Sequence, residues 1–442
     1  MKGNFMYKLI RIIFTICIFL NPEVILPQTI KVLTLTEAIN LATENNNELV
    51  TARLEQVKAE EKVSEVYRDN LAPNFVLSSR YSRNFKKPTF NIFGETFEIG
   101  ADNELVNTLE IQYSIPVLGV PVFQGIRVAE YYQQLSETNV KNIKNSVIAQ
   151  VKKSFYATLL AKEIVEVNKQ SLENSKNNLS VVESRYKNGI ATEFDYLRAK
   201  VQVENIKPAV EKSISDLNVS KLRLKDLIGL REEDEIEITG NLEYDSSEIF
   251  RSTEEILNSI ISNNSGLIAL DLNRKINLEL VRVNEANYLP KLAIFGQYQL
   301  SASENDNNSI TNWKFNNAVI GGLALSWDLN IFRTQKVVSQ SLIDVRINEE
   351  QIENLRNKLR LSGESIILRL ENARSRIIAQ EENVKLAQRG LDLANISFRE
   401  GILNQLDVLN AELQLSQSKL AYLQAVYDYQ IAKTELEELL EN

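Results

Sequence analysis

Apolar residues in this chain follow two different periods, and the periods divide it into parts. Four short stretches alternate. Phe75, Leu77, Ser79 and Tyr81 fall on one side of an extended backbone, and Val76, Ser78, Arg80 and Ser82 fall on the other. Leu105, Leu109, Ile111, Tyr113 and Ile115 oppose Val106, Thr108, Glu110, Gln112 and Ser114. Later, Leu292, Ile294, Gly296, Tyr298 and Leu300 share a side, and Val319, Leu323, Leu325, Trp327 and Leu329 oppose Gly322, Ala324, Ser326 and Asp328. The alternation predicts strands over about 74–88, 104–116, 291–302 and 317–330. About ten residues is the length of a tilted strand that crosses a membrane. Such a strand puts its apolar side toward lipid and its small or polar side toward water. Tyr81, Tyr113, Tyr298, Trp313 and Trp327 suit an interfacial belt. Two hairpins on a soluble core would alternate in the same way, so alternation alone leaves both readings open.

The second period is helical. Proline-free runs extend from roughly Val128 to Asn188 and from Lys336 to Glu400. At about 1.5 Å per residue each would reach roughly 90 Å, several times an ordinary helix. Val165, Leu172, Leu179 and Tyr186 recur every seven residues, and so do Leu406, Leu413, Leu420 and Tyr427. Val181, Leu415 and Val426 lie outside these stripes. A helix with two apolar seams can touch a neighbour on each side, which predicts a sheet or cylinder of helices rather than an isolated two-stranded coil.

The two patterns occur twice in the same order. "LTEAINLATENNNEL" (Leu35 to Leu49) returns as "STEEILNSIISNNSGL" (Ser252 to Leu267), and "NLAPNFVLSSRYS" returns as "NYLPKLAIFGQYQ". "RYKNGIATEFDYLRA" returns as "FREGILNQLDVLNA", with Gly189 and Gly401 212 residues apart. The order predicts two structural repeats, residues 29–230 and 253–442, joined by an acidic linker at 231–252. In each repeat one helix, starting near Thr36 or Thr253, runs up to Pro73 or Pro290. A strand, a loop rich in Asn, Gly and charge, and a second strand follow, and then a long helical hairpin. Gly189 and Gly401 sit at the hairpin tips, where glycine accepts the left-handed backbone that ends a helix.

Composition narrows the chemistry. The chain has no His, its one Cys is Cys17, and its two Met are Met1 and Met6. Lys2, Lys8 and Arg11 followed by the apolar run from Ile12 to Leu20 predict a secretory signal peptide over residues 1–28. Its removal changes the net charge from −9 to −11, because three positive charges and one negative charge leave. The mature chain would carry no thiol, thioether or imidazole, so disulfide, cysteine and histidine chemistry are excluded. Its acidity argues against nucleic acid as a partner. No phosphate loop or zinc-type ligand set is present, so ATP hydrolysis must occur elsewhere. No catalytic, cofactor or metal residue is expected. The missing Met and His argue against a dedicated soft-metal relay.

The ordered set resembles the outer-membrane efflux family, the TolC-like exit ducts of Gram-negative bacteria. The resemblance rests on "LTEAINLATENNNEL", the "LAP" and "YLP" leads into strands, "YSIPV" (Tyr113 to Val117) and the two tip motifs, and spans roughly Leu33 to Leu440. The family often carries Asn-Pro where this chain has Asn46–Asn47, and the second repeat has "WDLNIF" where the first has Pro116. The resemblance implies a mixed α and β membrane protein that works as a homotrimer. Its 12-stranded transmembrane β-barrel, four strands per chain, would sit in outer-membrane lipid. A long periplasmic α-helical barrel of coiled-coil hairpins would continue it, with the acidic linker near a mid-height collar. It further implies a passive, gated duct without enzymatic activity, served by a periplasmic adaptor (membrane fusion protein) and an inner-membrane transporter of the RND, ABC or MFS type. By the family pattern the adaptor would meet Asn188, Gly189, Ile190, Glu400, Gly401 and Ile402. Asp407 falls where relatives carry an acidic ring in the periplasmic constriction, and Asn410, one turn later, is neutral. Asp195 would pair with Arg399 or Arg185 across hairpins to hold the gate shut. Both aspartates also suit plain capping of the return helices.

Other readings make different predictions. A type I protein or peptide secretion duct would share the whole architecture. A porin would be mostly strands. A coiled-coil surface protein would need neither the leader nor the strands. A glycan-degrading enzyme would cluster its carboxylates on loops of a compact core.

Overall fold

The computed structural model describes residues 31–115, 120–231, 233–244, 252–307 and 309–441. The expected signal peptide, Cys17, Pro116, Val117 and part of the acidic linker lie outside them. Two compact units are present. One holds residues up to Asn45, Gln150–Tyr244 and Arg376–Asp428; the other holds Asn46–Ala149, Asp245–Ser375 and residues from Tyr429 on.

The second unit contains an antiparallel sheet of β2 (Asn74–Arg83), β5 (Asn103–Ser114), β7 (Lys291–Glu304) and β8 (Phe315–Ser326), in that order. Leu77, Leu109, Tyr298 and Val319 lie in one row across the four strands, and all four are exposed. Phe75, Ile111, Ile294, Leu323 and Leu325 extend this apolar side. The opposite side carries Ser78, Thr108, Gln299 and Ala318 in register. A monomer in water would not leave such a continuous apolar face uncovered. The first strand ends at Arg83 rather than near residue 88, because the chain enters a further hairpin, β3 (Thr89–Ile92) and β4 (Glu95–Glu98), which the alternation did not reveal. The belt expectation needs one correction. Trp313 is buried, with its ring stacked on Tyr81 at 6.5 Å, so the ring is occupied within the chain. Trp327 is exposed, and its indole N–H donates to the Tyr288 carbonyl at 3.1 Å.

The helices before the strands are broken where one run was expected. α1 (Leu35–Asn45) stops, and α2 (Asn47–Leu71) starts again; likewise α5 (Thr253–Asn263) gives way to α6 (Ser265–Glu285). Asparagine causes both breaks. Asn46 and Asn264 have extended backbones, with φ −64° and ψ 127° and 118°. The Asn46 side chain accepts from the Glu48 and Leu49 amides, and that of Asn264 accepts from Leu267. An Asn in this position caps a new helix rather than continuing the old one.

The first unit holds a parallel pair of short strands, β1 (Lys31–Leu33) and β6 (Ile236–Ile238). The acidic segment is therefore not simple linker. Ile236 and Ile238 point inward with Leu33, and the glutamates between and beside them stay outside. Lys162 donates to the Ile238 carbonyl at 3.0 Å and ties the pair to a long helix. Gly229 passes close to Asn45: a Cβ there would lie 2.7 Å from the Asn45 Cβ and carbonyl oxygen.

The long helices are α3 (Val122–Lys187), α4 (Glu193–Leu227), α7 (Ile331–Arg399) and α8 (Gln405–Leu440). α3 and α7 begin about one and a half turns earlier than the apolar pattern suggested. Along α8 the buried stripe is Val408, Leu415, Ala425, Val426 and Tyr429. Leu406 and Leu413 of the expected heptad stripe remain exposed, so the two seams of this helix have different fates.

Candidate functional site

Both hairpin turns end their helices with the same backbone bonds. At the first, Gly189 has φ +75° and donates to Tyr186, while Ile190 and Ala191 donate to the Arg185 carbonyl at 2.8 and 3.3 Å. At the second, Gly401 has φ +79° and donates to Phe398, while Ile402 and Leu403 donate to Ser397 at 2.9 and 3.3 Å. These bonds satisfy helix-end carbonyls that would otherwise lack partners. Asn188, Glu400, Ile190 and Ile402 are exposed on the two turns.

The return helices start alike. Thr192 accepts from the Asp195 amide, and the Asp195 carboxylate takes the Thr192 hydroxyl at 2.7 Å and its backbone N–H at 3.3 Å. Asn404 and Asp407 exchange the equivalent bonds, at 3.1 and 3.2 Å. Each aspartate therefore occupies the third helical position of a reciprocal cap, near the positive end of the helix dipole. The expected pairing of Asp195 with Arg185 or Arg399 would therefore have to use a carboxylate already held at its own helix start. The carboxylate is engaged by its own helix start, because Thr192 is three residues away and already oriented. The spacings "TEFD" and "NQLD" signal such caps in the sequence. Asn410 is exposed on α8, one turn beyond Asp407.

Arg185 instead bridges the two turns. Its guanidinium donates to the Phe398 carbonyl at 2.8 Å and the Arg399 carbonyl at 3.0 Å, with its central carbon 4.3 Å from the Phe398 ring centre. A cation is well placed there, since the last carbonyls of a helix carry its negative end. Below the turns, Val182 of α3, Ala199 of α4, Leu391, Ala394 and Phe398 of α7, and Val408 and Leu415 of α8 form one buried cluster. Tyr186 and Tyr196 stack beside it at 5.6 Å. The turns thus stand on a four-helix core.

One polar feature in this core escaped the sequence reading. Glu412 is partly buried, and this burial pushes its carboxyl up to about 7, with the Ser175 hydroxyl 3.5 Å away opposing the shift. Asn178, one turn from Ser175, and Gln405, two turns from Glu412, are also buried, with both amide atoms of each unbonded. Single polar residues in a helical run give no signal of which will be buried. Among the described residues, no three His, Cys, Asp or Glu are grouped to hold a metal, and no helix is long and apolar enough to cross a membrane.

Comparison with known proteins agrees with this arrangement. The model of the family described as outer membrane efflux protein matches residues 38–230 and 256–442. The cobalt-zinc-cadmium resistance protein CzcC of Cupriavidus metallidurans is 26% identical over 332 residues, covering 74% of this chain and 76% of CzcC. The outer-membrane channel OprN superposes with TM-score 0.73 at 17% identity, covering 92% of this chain and 89% of OprN. The outer membrane protein VceC of Vibrio cholerae gives 0.74 at 14% identity, covering 92% and 96%.

Proposed function

Because the chain belongs to the outer membrane efflux protein family, we propose that it is the outer-membrane exit duct of a tripartite efflux system, fed by an inner-membrane transporter through a periplasmic adaptor. The protein is an outer-membrane efflux channel with a periplasmic extension and is not an enzyme. The observation that carries the finer reading is the sheet. β2 and β8 are its two edges, and neither has a second strand partner among the described residues. Unpaired backbone is not tolerated in lipid, so the edges must be closed by other copies of the chain. Three copies give twelve strands, an even number within the range of such barrels. The helices of the three copies then continue the passage into the periplasm, and the turns at Gly189 and Gly401 are its adaptor-facing ends. The transporter would be of the RND, ABC or MFS type.

The duct supplies no energy. Its selectivity comes from charge at the constriction, where three copies of Asp407 repel anions and admit cations. Small cations are the cargo these features favour. The chain carries a net charge of −9, and a relative is named for cobalt, zinc and cadmium resistance. With no His, and with Met only at positions 1 and 6 in the expected signal peptide, a metal ion would pass rather than be held. Secretion of a protein or peptide remains the rival use of the same passage. In planar bilayers the protein should give cation-selective openings, and the double variant Asp195→Asn, Asp407→Asn should lose much of that preference. A double variant with unchanged selectivity would count against the charged constriction, and an unaltered protein that never conducts would count against the duct.

A further inference from the structure

The hairpin β3–β4 carries an apolar surface that nothing among the described residues covers. Phe90 faces Phe97 across it, while Asn91 faces Thr96, whose hydroxyl donates to the Asn91 side chain at 2.6 Å. One face therefore carries both rings, with the Glu95 carboxylate toward the turn, and the other carries Thr89, Asn91, Thr96 and Glu98. Phe90 is 60% exposed and Phe97 49%. At the apex Phe93 and Gly94 have φ +53° and +87°. Tight turns with two left-handed residues favour Asn, Asp or Gly at the first position. Here a phenylalanine takes it, and its ring is fully exposed. The strained backbone and the bare ring find no packing partner among the described residues. A two-stranded ribbon is also at best marginally stable in water.

The location says what covers it. β2 follows α2 and β5 leads toward α3, so the hairpin leaves the strand ends that lie away from the helices. It continues the β2–β5 ladder: the Asn84 amide donates to Asp102 at 2.8 Å, and Ile99 donates to Pro88 at 2.9 Å. Ion pairs of Arg83 with Asp306 and Lys87 with Asp102, at 2.8 and 2.9 Å, fix its base to the rim. The apolar side of the sheet, with Phe75 and Leu77, thus runs toward a ribbon bearing three more exposed rings. Aromatic side chains concentrate where a membrane meets water.

We propose that the aromatic face and tip of this hairpin lodge in the outer leaflet of the membrane, beside the barrel, as a lipid anchor at the rim. The inference rests on the sheet being the membrane wall, and the test separates the two. In a Cys17→Ser background, single cysteines at Leu77, Phe90, Phe93, Phe97 and Thr96 are labelled with an environment-sensitive fluorophore. The protein is then reconstituted in vesicles with acyl chains that carry a quencher. Labels at 90, 93 and 97 should lose emission as strongly as the label at 77, and the label at 96 should lose far less. Quenching at 77 but at none of the three hairpin positions overturns the anchor and leaves the wall intact. Absence of quenching at 77 overturns the wall reading itself. Label-to-label excimers at 93, without lipid quenching, would assign the hairpin to neighbouring copies and overturn the proposal. Heat-dependent gel migration of each variant checks that the sheet has formed.

Discussion

Replacing Arg185 with Ala should loosen the second turn more than the first, although Arg185 belongs to the first. The guanidinium holds two carbonyls at the end of α7, at 2.8 and 3.0 Å, and covers the Phe398 ring. A hydrogen bond from a charged donor contributes about 1.5–3 kcal/mol when buried. The bond to Phe398 is part-buried and the bond to Arg399 is exposed, so the lower end of that range applies to the first and less to the second. The ring contact adds about 0.5–1 kcal/mol. A local loss of about 2 kcal/mol follows, which is roughly a 30-fold change in an opening equilibrium. Hydrogen exchange reads it directly, because the Gly401, Ile402 and Leu403 amides are bonded within that turn. They should exchange roughly 30-fold faster in the variant. Ile190 and Ala191, bonded to the Arg185 backbone, should change little. Arg185→Lys should recover part of the protection, since an ammonium reaches one carbonyl but lacks the planar fork. Unchanged exchange at 401–403, or equal acceleration at both turns, would refute the bridge.

Other consequences follow from single groups. The Glu412 carboxyl is raised from about 4.5 to about 7, so the folded state binds the proton more tightly than the unfolded state. That contribution is complete below about pH 4.5 and is lost as pH rises through about 7; hydrogen exchange around Glu412 should quicken over that window, and Glu412→Gln should flatten the profile. Gly229→Ala sets a methyl 2.7 Å from Asn45 and forces a side chain to φ +68°, so it should lower the thermal midpoint by an amount matching a loss of about 2 kcal/mol or more. Asn46→Ala removes two bonds at the start of α2 and should cost about 1 kcal/mol, while Asn46→Asp should cost much less in a denaturant titration.

The strands were legible because one side is apolar and the other small or polar, and a strand with two unlike sides must alternate. Three features were not. The breaks at Asn46 and Asn264 are made by side-chain caps within polar runs, with no proline at either and a glycine, Gly266, only beside the second. The β1–β6 pair has three residues per strand, too few for a period, and its partners lie over two hundred residues apart. The β3–β4 hairpin turns at Phe93–Gly94, where a sequence reader looks for Asn-Gly. At the tips, glycine and the repeated motif located both turns, and the left-handed φ of Gly189 and Gly401 follows from the residue type. The capping role of the two aspartates was suggested by their spacing, but the partner of Arg185 was hidden. Local geometry gives Asp195 to Thr192, and only the folded neighbourhood of α3 and α7 gives Arg185 to the carbonyls of the opposite turn.

The central claim is that unpaired strand edges are closed by copies of the chain into one passage. Extracting the protein from outer membranes in mild detergent and imaging single particles by electron microscopy tests it most directly. The account predicts a threefold particle with a closed ring of twelve strands. A particle of one chain, or one in which the edges of β2 and β8 stay open, would contradict it.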